Sequence, residues 1–343
     1  MYSEFESDQR SVILPSEWHS QTAIQLIWPS AESDWAEHLT EARACVRRIV
    51  KIITRYQKVL LVHSDPIDRA AVFSDIPEER LHLAHLPTND TWCRDYGPIT
   101  ILKNGQPRLL DFQFNGWGLK FPADHDNQVI RRLFEKGFYG NVPVETQALV
   151  LEGGSIESDG AGTLLTTSTC LLSPNRNPTY DKKALEVTFR KLFGTERVLW
   201  LDHGHLLGDD TDAHIDTLAR FCNPTTIAYV QCSNPADSHY IGLRDMEHQL
   251  QSFRRPDGQP YNLVPLPLPQ PLYAPDGHRL PATYANFLII NGAVLVPTYG
   301  VTQDESVLKI LKKVFPDREV IGIDCRVLVE QHGSLHCMTM QLL

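Results

Sequence analysis

The chain has 343 residues, of which 42% are hydrophobic and 22% are charged, a balance typical of a globular protein with a substantial core. Its formal net charge of −10 argues against the basic face that nucleic acid requires, and it suits a small cationic substrate. No apolar stretch approaches the length of a membrane span, so we expect neither a nucleic acid nor a membrane as partner.

The cysteine pattern and the start of the chain bear on the compartment. Residues 1–18 lack the basic and apolar regions of a signal peptide. The cysteines are odd in number and without a CxxC pair, which argues against a zinc ribbon or a disulfide framework. Their positions are Cys45, Cys93, Cys170, Cys222, Cys232, Cys325 and Cys337. We therefore expect a reducing, cytoplasmic environment.

Hydrophobic periodicity predicts alternating strands and helices after an irregular lead-in over residues 1–20. A helix over 35–56, which Asp34 is expected to cap, follows a strand at 24–29. Further strands are predicted at 58–63, 81–86, 99–102, 109–114, 149–152, 163–167, 198–201, 227–231, 287–291, 294–297 and 320–323. Further helices are predicted at 126–135, 181–192, 240–253 and 304–314. A proline-rich connector is expected over 265–281.

The spacing of these elements predicts one catalytic domain over residues 1–343. Five helices begin near residues 35, 126, 181, 240 and 304, with several short strands between successive helices. A doubly wound sheet would alternate strand and helix one to one, so the excess of strands favours a radial arrangement. Roughly five αβ units are therefore expected, with polar loops meeting at a centre.

Two of the loops that follow apolar strands carry a carboxylate. Asp95 stands beside Arg94, and in isolation this pair reads equally well as a local ion pair. Glu152 precedes Gly153 and Gly154, which let the backbone approach closely either in a turn or against a ligand. A plain turn is the commoner reason for two glycines.

A third loop concentrates charge. If the chain is extended there, Asp210, Asp212, His214 and Asp216 share one face. Three carboxylates and an imidazole on one face need a cation between them. That cation is either a metal ion or a guanidinium group.

The fourth loop holds a cysteine close to the end of the chain. Cys337 precedes an alternation of Met338, Met340 and Leu342, which predicts a strand with one buried face. Taken alone, such a cysteine is more often a small buried residue than a nucleophile. Together with the other loops, it gives one thiol, one imidazole and several carboxylates, a set that fits covalent catalysis at a cationic carbon.

Six ordered motifs, which span nearly the whole chain, resemble those of the agmatine deiminase family, including bacterial proteins labelled peptidyl-arginine-deiminase-like. These are W-x-R-D-x-G-P from Trp92, F-N-x-W-G from Phe114, L-E-G-G from Leu151, D-T-D-x-H-x-D from Asp210, N-F at Asn286, and G-x-x-H-C-x-T-x-Q from Gly333.

The resemblance implies a five-bladed α/β propeller of the pentein type, with pseudo-fivefold ββαβ-like units and without metal or cofactor. It implies hydrolysis of agmatine to N-carbamoylputrescine and ammonia, a step of putrescine biosynthesis. The expected partner is a small cationic guanidine. The sequence leaves the oligomeric state open, with a homodimer as one alternative.

Carried over residue by residue, the resemblance makes Cys337 the nucleophile and His214 the general acid and base. Asp95 and Asp216 would bind the guanidinium nitrogens, and Glu152 would support the site beside His214. The positions matching those near the chain and distal amine of the substrate are Trp92, Asp210 and Trp117.

Four alternatives remain open at this point. One is a deiminase that acts on free or peptidyl arginine. A cysteine peptidase would also use Cys337 and His214, but it needs an oxyanion hole rather than carboxylates. A metal-dependent hydrolase would use Asp210 to Asp216 and leave Cys337 without a role. A non-enzymatic propeller scaffold would make every loop structural.

Overall fold

A computed structural model of the chain describes residues 11–343, so the predicted lead-in lies partly outside the described residues. Its strands are β1 Val12–Ile13, β2 Ala23–Ile27, β3 Lys58–His63, β4 Leu81–His85, β5 Ile99–Lys103, β6 Gln106–Gln113, β7 Val144–Val150, β8 Ile156–Ser158, β9 Thr163–Thr167, β10 Arg197–Leu201, β11 Ala219–Asn223, β12 Thr226–Gln231, β13 Asn262–Pro267, β14 Leu288–Ile290, β15 Ala293–Thr298, β16 Glu319–Asp324 and β17 Thr339–Leu342.

The helices alternate with these strands, which confirms the α/β class. They are α1 Leu39–Ile53, α2 Arg69–Phe73, α3 Cys93–Tyr96, α4 Gly116–Leu119, α5 Val129–Glu135, α6 Ser168–Leu171, α7 Lys182–Phe193, α8 Tyr240–Ser252, α9 Asp304–Val314 and α10 Arg326–Val329. Within residues 11–343, no helix combines the length and the apolar character needed to cross a bilayer.

The described strands form five sheets that share one pairing pattern. In each sheet an antiparallel pair is followed, across a helical connection, by a third strand parallel to the second. The pairs β5–β6, β8–β9, β11–β12 and β14–β15 are antiparallel, and β7, β10, β13 and β16 complete them in parallel. The fifth sheet joins both ends of the chain, because β17 pairs antiparallel with β2 and β2 pairs parallel with β3.

The long helices pack one apolar stripe onto the sheets. In α1 the side chains of Ala42, Val46, Ile49 and Ile53 recur at helical spacing, and all four are fully buried. The remaining face of this helix is polar, so burial of the stripe rather than helix propensity holds it in place.

Two local predictions are wrong. Asp34 caps no helix, since α1 begins at Leu39 after a short 3₁₀ turn at Ala36–His38 and has no side-chain cap. The proline-rich connector begins inside β13, where Pro265 and Pro267 lie on an edge strand. An edge strand tolerates proline because the missing N–H groups are not needed for pairing on its open side.

The connections that lead from one sheet to the next carry the residues of interest. They hold Asp95 before β5, Glu152 before β8, His214 and Asp216 before β11, Asn286 before β14, and Cys337 before β17. Each sheet is therefore entered through a loop that ends in a functional side chain.

Candidate active site

A cleft with about 620 Å³ of space, including its open mouth, leads to the thiol of Cys337. Trp92 and Gly333 line it close to the thiol, and a Cβ at Gly333 would lie 2.4 Å from the Trp92 ring. Glycine is therefore needed there for the close approach of ring and backbone. The Cys337 carbonyl accepts the Arg94 N–H at 3.0 Å, which ties the loop to α3.

The thiol of Cys337 contacts an amide and a carboxylate. Its Sγ lies 3.3 Å from Asn286 Nδ2 and 3.8 Å from Asp216 Oδ2. Burial, together with the charges of Asp216 and Asp95, raises the pKa of this thiol well above its ordinary value. The protonated form of the thiol is therefore favoured in the unliganded cluster.

Asp95 is held by two neutral donors. Its Oδ1 accepts the Gly154 N–H at 3.0 Å, and its Oδ2 accepts the Trp117 indole N–H at 2.9 Å. Burial raises its pKa to about 6, although the neighbouring charge of His214 opposes the rise. A Cβ at Gly154 would lie 2.6 Å from His214 Nδ1, so the second glycine makes room for the site rather than forming a plain turn.

His214 is fully buried between two carboxylates. Its Nδ1 lies 3.5 Å from Asp95 Oδ1, and its Nε2 lies 3.7 Å from Glu152 Oε2. Burial disfavours the imidazolium, yet the surrounding negative groups, Asp95 foremost, raise the pKa of His214 well above its ordinary value. Neither ring nitrogen has a hydrogen-bond partner among the described residues, so the hydrogen-bonding capacity of the ring is unused.

The two carboxylate oxygens of Asp216 have different surroundings. Its Oδ2 lies 2.7 Å from His336 Nδ1, whereas its Oδ1 is buried without a hydrogen-bond partner within residues 11–343. Burial would raise its pKa, but the contact with His336 outweighs that effect and the pKa is lowered. Asp216 is therefore a fixed negative charge with one available acceptor.

The third loop is not extended, which overturns the prediction that four of its side chains share a face. Asp212 and Ala213 adopt left-handed conformations with φ of 65° and 63°. The side chain of Asp212 therefore leaves the cluster and pairs with Arg176 Nη1 at 2.6 Å and with Lys120 Nζ at 2.7 Å. His214 and Asp216 remain together, as predicted.

Arg176 supports the site from behind. Its Nε lies 3.0 and 2.8 Å from the two carboxylate oxygens of Glu152, and both side chains are fully buried. Burial alone would raise the pKa of Glu152, but the neighbouring His214 imidazole and the charge of Arg176 lower it. Glu152 therefore stays charged beside His214.

The three residues predicted near the substrate tail line the cleft. Trp92 packs against Trp35 with ring centroids 5.8 Å apart, and Trp117 reaches the cleft while donating to Asp95. Asp210 is partly exposed, and its carboxylate lies 3.7 Å from His332 Nδ1. Asp90 adds a further carboxylate, so among the described residues the lining carries five aspartates and neither lysine nor arginine.

One cluster has donor atoms suited to a metal ion. Single ligand atoms of Glu152, Cys170 and His214 lie within 4.8 Å of one another. The Glu152 oxygens, however, already accept from Arg176, which places a fixed positive charge beside the cluster. The donor set therefore fits a divalent cation poorly, because the cation would have to displace a buried guanidinium.

Sequence reasoning missed three supporting residues. Arg176 and Glu17 contact the site from distant parts of the chain, and neither position carries a local signal. His336 stood next to Cys337 in the last motif, and its adjacency to the thiol was the available signal. Asn286 belongs to a predicted motif, but the motif alone indicates no role for its side chain.

The chain is similar to known proteins over almost all of its length. The sequence profile of the Porphyromonas-type peptidyl-arginine deiminase family matches residues 13–342. The agmatine deiminase of Stutzerimonas stutzeri is 32% identical, with 97% of this chain and 96% of that protein covered. The structure of agmatine deiminase from C. jejuni with substrate bound is 39% identical, with a TM-score of 0.91 over 99% of this chain and 98% of that chain.

A more distant likeness concerns the fold alone. An amidinotransferase from Microseira wollei is 14% identical and superimposes with a TM-score of 0.55, with 97% of each chain covered. The arrangement of sheets and helices is thus shared with enzymes that handle amidino groups.

Proposed function

The chain belongs to the Porphyromonas-type peptidyl-arginine deiminase family, and we propose that it is an agmatine deiminase, as the motifs predict. The reaction is hydrolysis of the guanidinium group of agmatine to a urea, N-carbamoylputrescine, with release of ammonia. The observation that carries this proposal is the position of the Cys337 thiol beside Asp216, in a buried cluster with Asp95 and His214.

The cluster suits a planar cation. A guanidinium presents paired N–H donors that match carboxylate oxygens. Asp216 Oδ1 is free to accept, and the ionised carboxylate of Asp95 adds a second negative charge. Binding of the cation offsets the charges that raise the thiol pKa, so the substrate itself favours the Cys337 thiolate.

The proposed chemistry proceeds in two halves. The thiolate of Cys337 adds to the guanidinium carbon, the His214 imidazolium donates a proton to one nitrogen, and the C–N bond breaks to release ammonia. A thiouronium remains on sulfur. Neutral His214 then takes a proton from water, and the hydroxide adds to the same carbon. The C–S bond breaks to return the thiolate, and loss of the hydroxyl proton to solvent leaves the neutral urea.

The residues near the mouth support agmatine over arginine. Agmatine carries an amine at the far end of its chain, whereas free arginine adds a carboxylate. The cleft lining contains Asp34, Asp90, Asp209 and Asp210, and these carboxylates favour a second positive charge. Agmatine is therefore the preferred substrate, and free or peptidyl arginine is the second candidate.

The architecture proposed for this enzyme is one domain over residues 1–343 with five propeller blades. Support comes from five sheets with the same pairing order, each entered through a loop that carries a site residue. Five such loops reach one cluster if the sheets are arranged around it.

We also infer that the enzyme needs no metal or cofactor and acts in the cytoplasm. The seven cysteines are free and buried, which suits a reducing compartment.

A panel of guanidines assayed for ammonia and for ureido product tests the proposal. Agmatine should be turned over with the highest kcat/KM, and activity should survive extensive chelation by EDTA. Loss of turnover in EDTA that one specific metal restores would instead support a metal-dependent hydrolase. Equal kcat/KM for arginine or an arginine peptide would reject the substrate preference.

A further inference from the structure

His336 precedes the nucleophile in sequence but does not line the cleft, and it contacts the carboxylate of Asp216. Its Nδ1 lies 2.7 Å from Asp216 Oδ2, and its Nε2 lies 2.6 Å from Glu17 Oε2. The ring is almost fully buried, at 2% exposure. One imidazole thus bridges two buried carboxylates that are 199 positions apart in the chain, at residues 17 and 216.

Glu17 is itself held in place by several donors. Its Oε1 accepts the Ile289 N–H at 2.6 Å, and its Oε2 also accepts from Arg220 Nη2 at 2.7 Å. Arg220 continues to Glu157 at 2.8 Å and is completely buried. The carboxylate of Glu17 therefore has little freedom to move, and it fixes the orientation of the imidazole that it contacts.

The contact with His336 gives the two carboxylate oxygens of Asp216 different roles. Oδ2 is engaged by His336, and Oδ1 is left without a hydrogen-bond partner among the described residues. The carboxylate cannot rotate without losing the contact to His336. The position of Oδ1 is therefore fixed before substrate binds. This pre-organisation lowers the entropic cost of ordering the carboxylate when a guanidinium binds.

We propose that His336 and Glu17 are positioning residues for Asp216, which orient its carboxylate and preserve its charge for guanidinium binding. This role rests on the proposed deiminase function, and it names the residues through which one guanidinium-binding carboxylate is controlled.

The ionisation of Asp216 depends on all the charged groups around it. These groups are Asp95, His214, Arg220, His336 and Cys337. Of these groups, His336 makes the short hydrogen bond to the Asp216 carboxylate. Without it, burial would dominate and Asp216 would titrate at higher pH, as Asp95 does already.

The kinetic test compares His336→Ala, His336→Asn and Glu17→Gln with the wild type, with agmatine as substrate. The Asn side chain can place its amide N–H near the position of Nδ1, so it retains the donor to Asp216 and loses the contact to Glu17. We expect His336→Ala to lower kcat/KM by about tenfold to a hundredfold, mostly through KM, and His336→Asn to restore part of the loss. The effects of Glu17→Gln and His336→Ala should be non-additive in the double variant.

The pH profile separates positioning from a structural role. The acid limb of kcat/KM should steepen in His336→Ala, because Asp216 and Asp95 would both need to lose a proton. His239→Gln is the matched control, since His239 is equally buried and contacts Asp237 at 2.9 Å, outside the cleft lining. It should lower thermal stability comparably while leaving the pH profile unchanged.

Three results would overturn the inference. Wild-type kinetics in His336→Ala would exclude any role, and a loss with an unchanged acid limb and no rescue by His336→Asn would show a structural role only. A wild-type protein that deiminates no guanidine would reject the proposed function first, and the inference with it. That last outcome is distinguishable because the wild type is assayed in the same series.

Discussion

The two aspartates beside the thiol are both buried, yet their surroundings give them opposite character. Asp95 accepts only neutral N–H donors in its hydrogen bonds, from Gly154 and Trp117, and its pKa is raised to about 6. Asp216 contacts His336, which in turn meets Glu17, and its pKa is lowered. Burial raises the pKa of both carboxylates. The hydrogen-bond partners of each carboxylate therefore determine whether its pKa ends above or below the ordinary value.

The two aspartates therefore define two sides of the site with different roles. The Asp216 side includes His336 and Glu17, and the Asp95 side includes Gly154 and Trp117. The Asp216 side holds a permanent negative charge at the cost of an extended buried network. The Asp95 side holds a charge that is easily lost near pH 6 and that therefore depends on His214 and on the bound cation.

The largest effect is expected when either carboxylate is replaced by its amide. Asp216→Asn and Asp95→Asn keep the shape of the side chain but remove its charge from a cation site. Breaking a buried charge pair costs about 3–5 kcal/mol, which corresponds to at least a hundredfold in kcat/KM. Steady-state kinetics with agmatine measures it, and near-wild-type values in either variant would remove that residue from substrate binding.

A smaller effect is expected from the indole that supports Asp95. Trp117→Phe removes the N–H donor to Oδ2 but keeps most of the ring. The pKa of Asp95 should rise further, because that donor favours the charged form, so the acid limb of kcat/KM should move to higher pH. We expect about a tenfold loss near pH 6 and a smaller loss at pH 8. An unshifted limb would mean that Asp95 does not control it.

Stability should respond with opposite signs on the two sides. The folded-state pKa of Asp95 lies above its ordinary value of 3.8, so its contribution to stability is present below that value and is lost as pH rises through about 6. The folded-state pKa of Asp216 lies below 3.8, so its contribution is present at neutral pH and is lost as pH falls.

At pH 7.5, therefore, Asp95→Asn should raise the melting temperature and Asp216→Asn should lower it, by a few degrees each. Thermal unfolding at pH 7.5 and pH 5 provides the measurement. Equal shifts of the same sign would show that the two surroundings are not distinct.

The smallest effect is expected for a thiol on the Asp95 side. Cys93 lies two residues before Asp95, and burial raises its pKa to about 12. Its side chain accepts from Gln25 and does not line the cleft. Cys93→Ser should retain most of the wild-type activity in the same assay, as should the other non-catalytic cysteines, whereas loss of turnover would give Cys93 a chemical role.

Much of this site follows from the sequence. Cys337 and His214 were predicted from thiol and imidazole chemistry and from motif order, and the structure brings the loops of both together. Five of the ten described helices (α1, α5, α7, α8 and α9) were also predicted within a few residues, because their apolar stripes repeat at a regular spacing.

The rest depends on contacts that no local pattern reveals. The left-handed backbone at Asp212 redirects a side chain that an extended strand would have placed in the site. Arg176 lies 24 residues from Glu152 in the chain, and Glu17 lies 319 residues from His336. Such partners become neighbours only when the sheets assemble, and they determine the charge of each carboxylate.

The central claim is that Cys337 attacks the guanidinium carbon and that His214 acts twice. His214→Ala incubated with agmatine and quenched in acid should therefore accumulate a covalent adduct, because the step that activates water is slowed at least as much as adduct formation. Mass spectrometry of the digested protein should locate the added mass on the peptide containing Cys337, and Cys337→Ala should show neither adduct nor turnover. Ammonia release at the wild-type rate by Cys337→Ala would contradict the account.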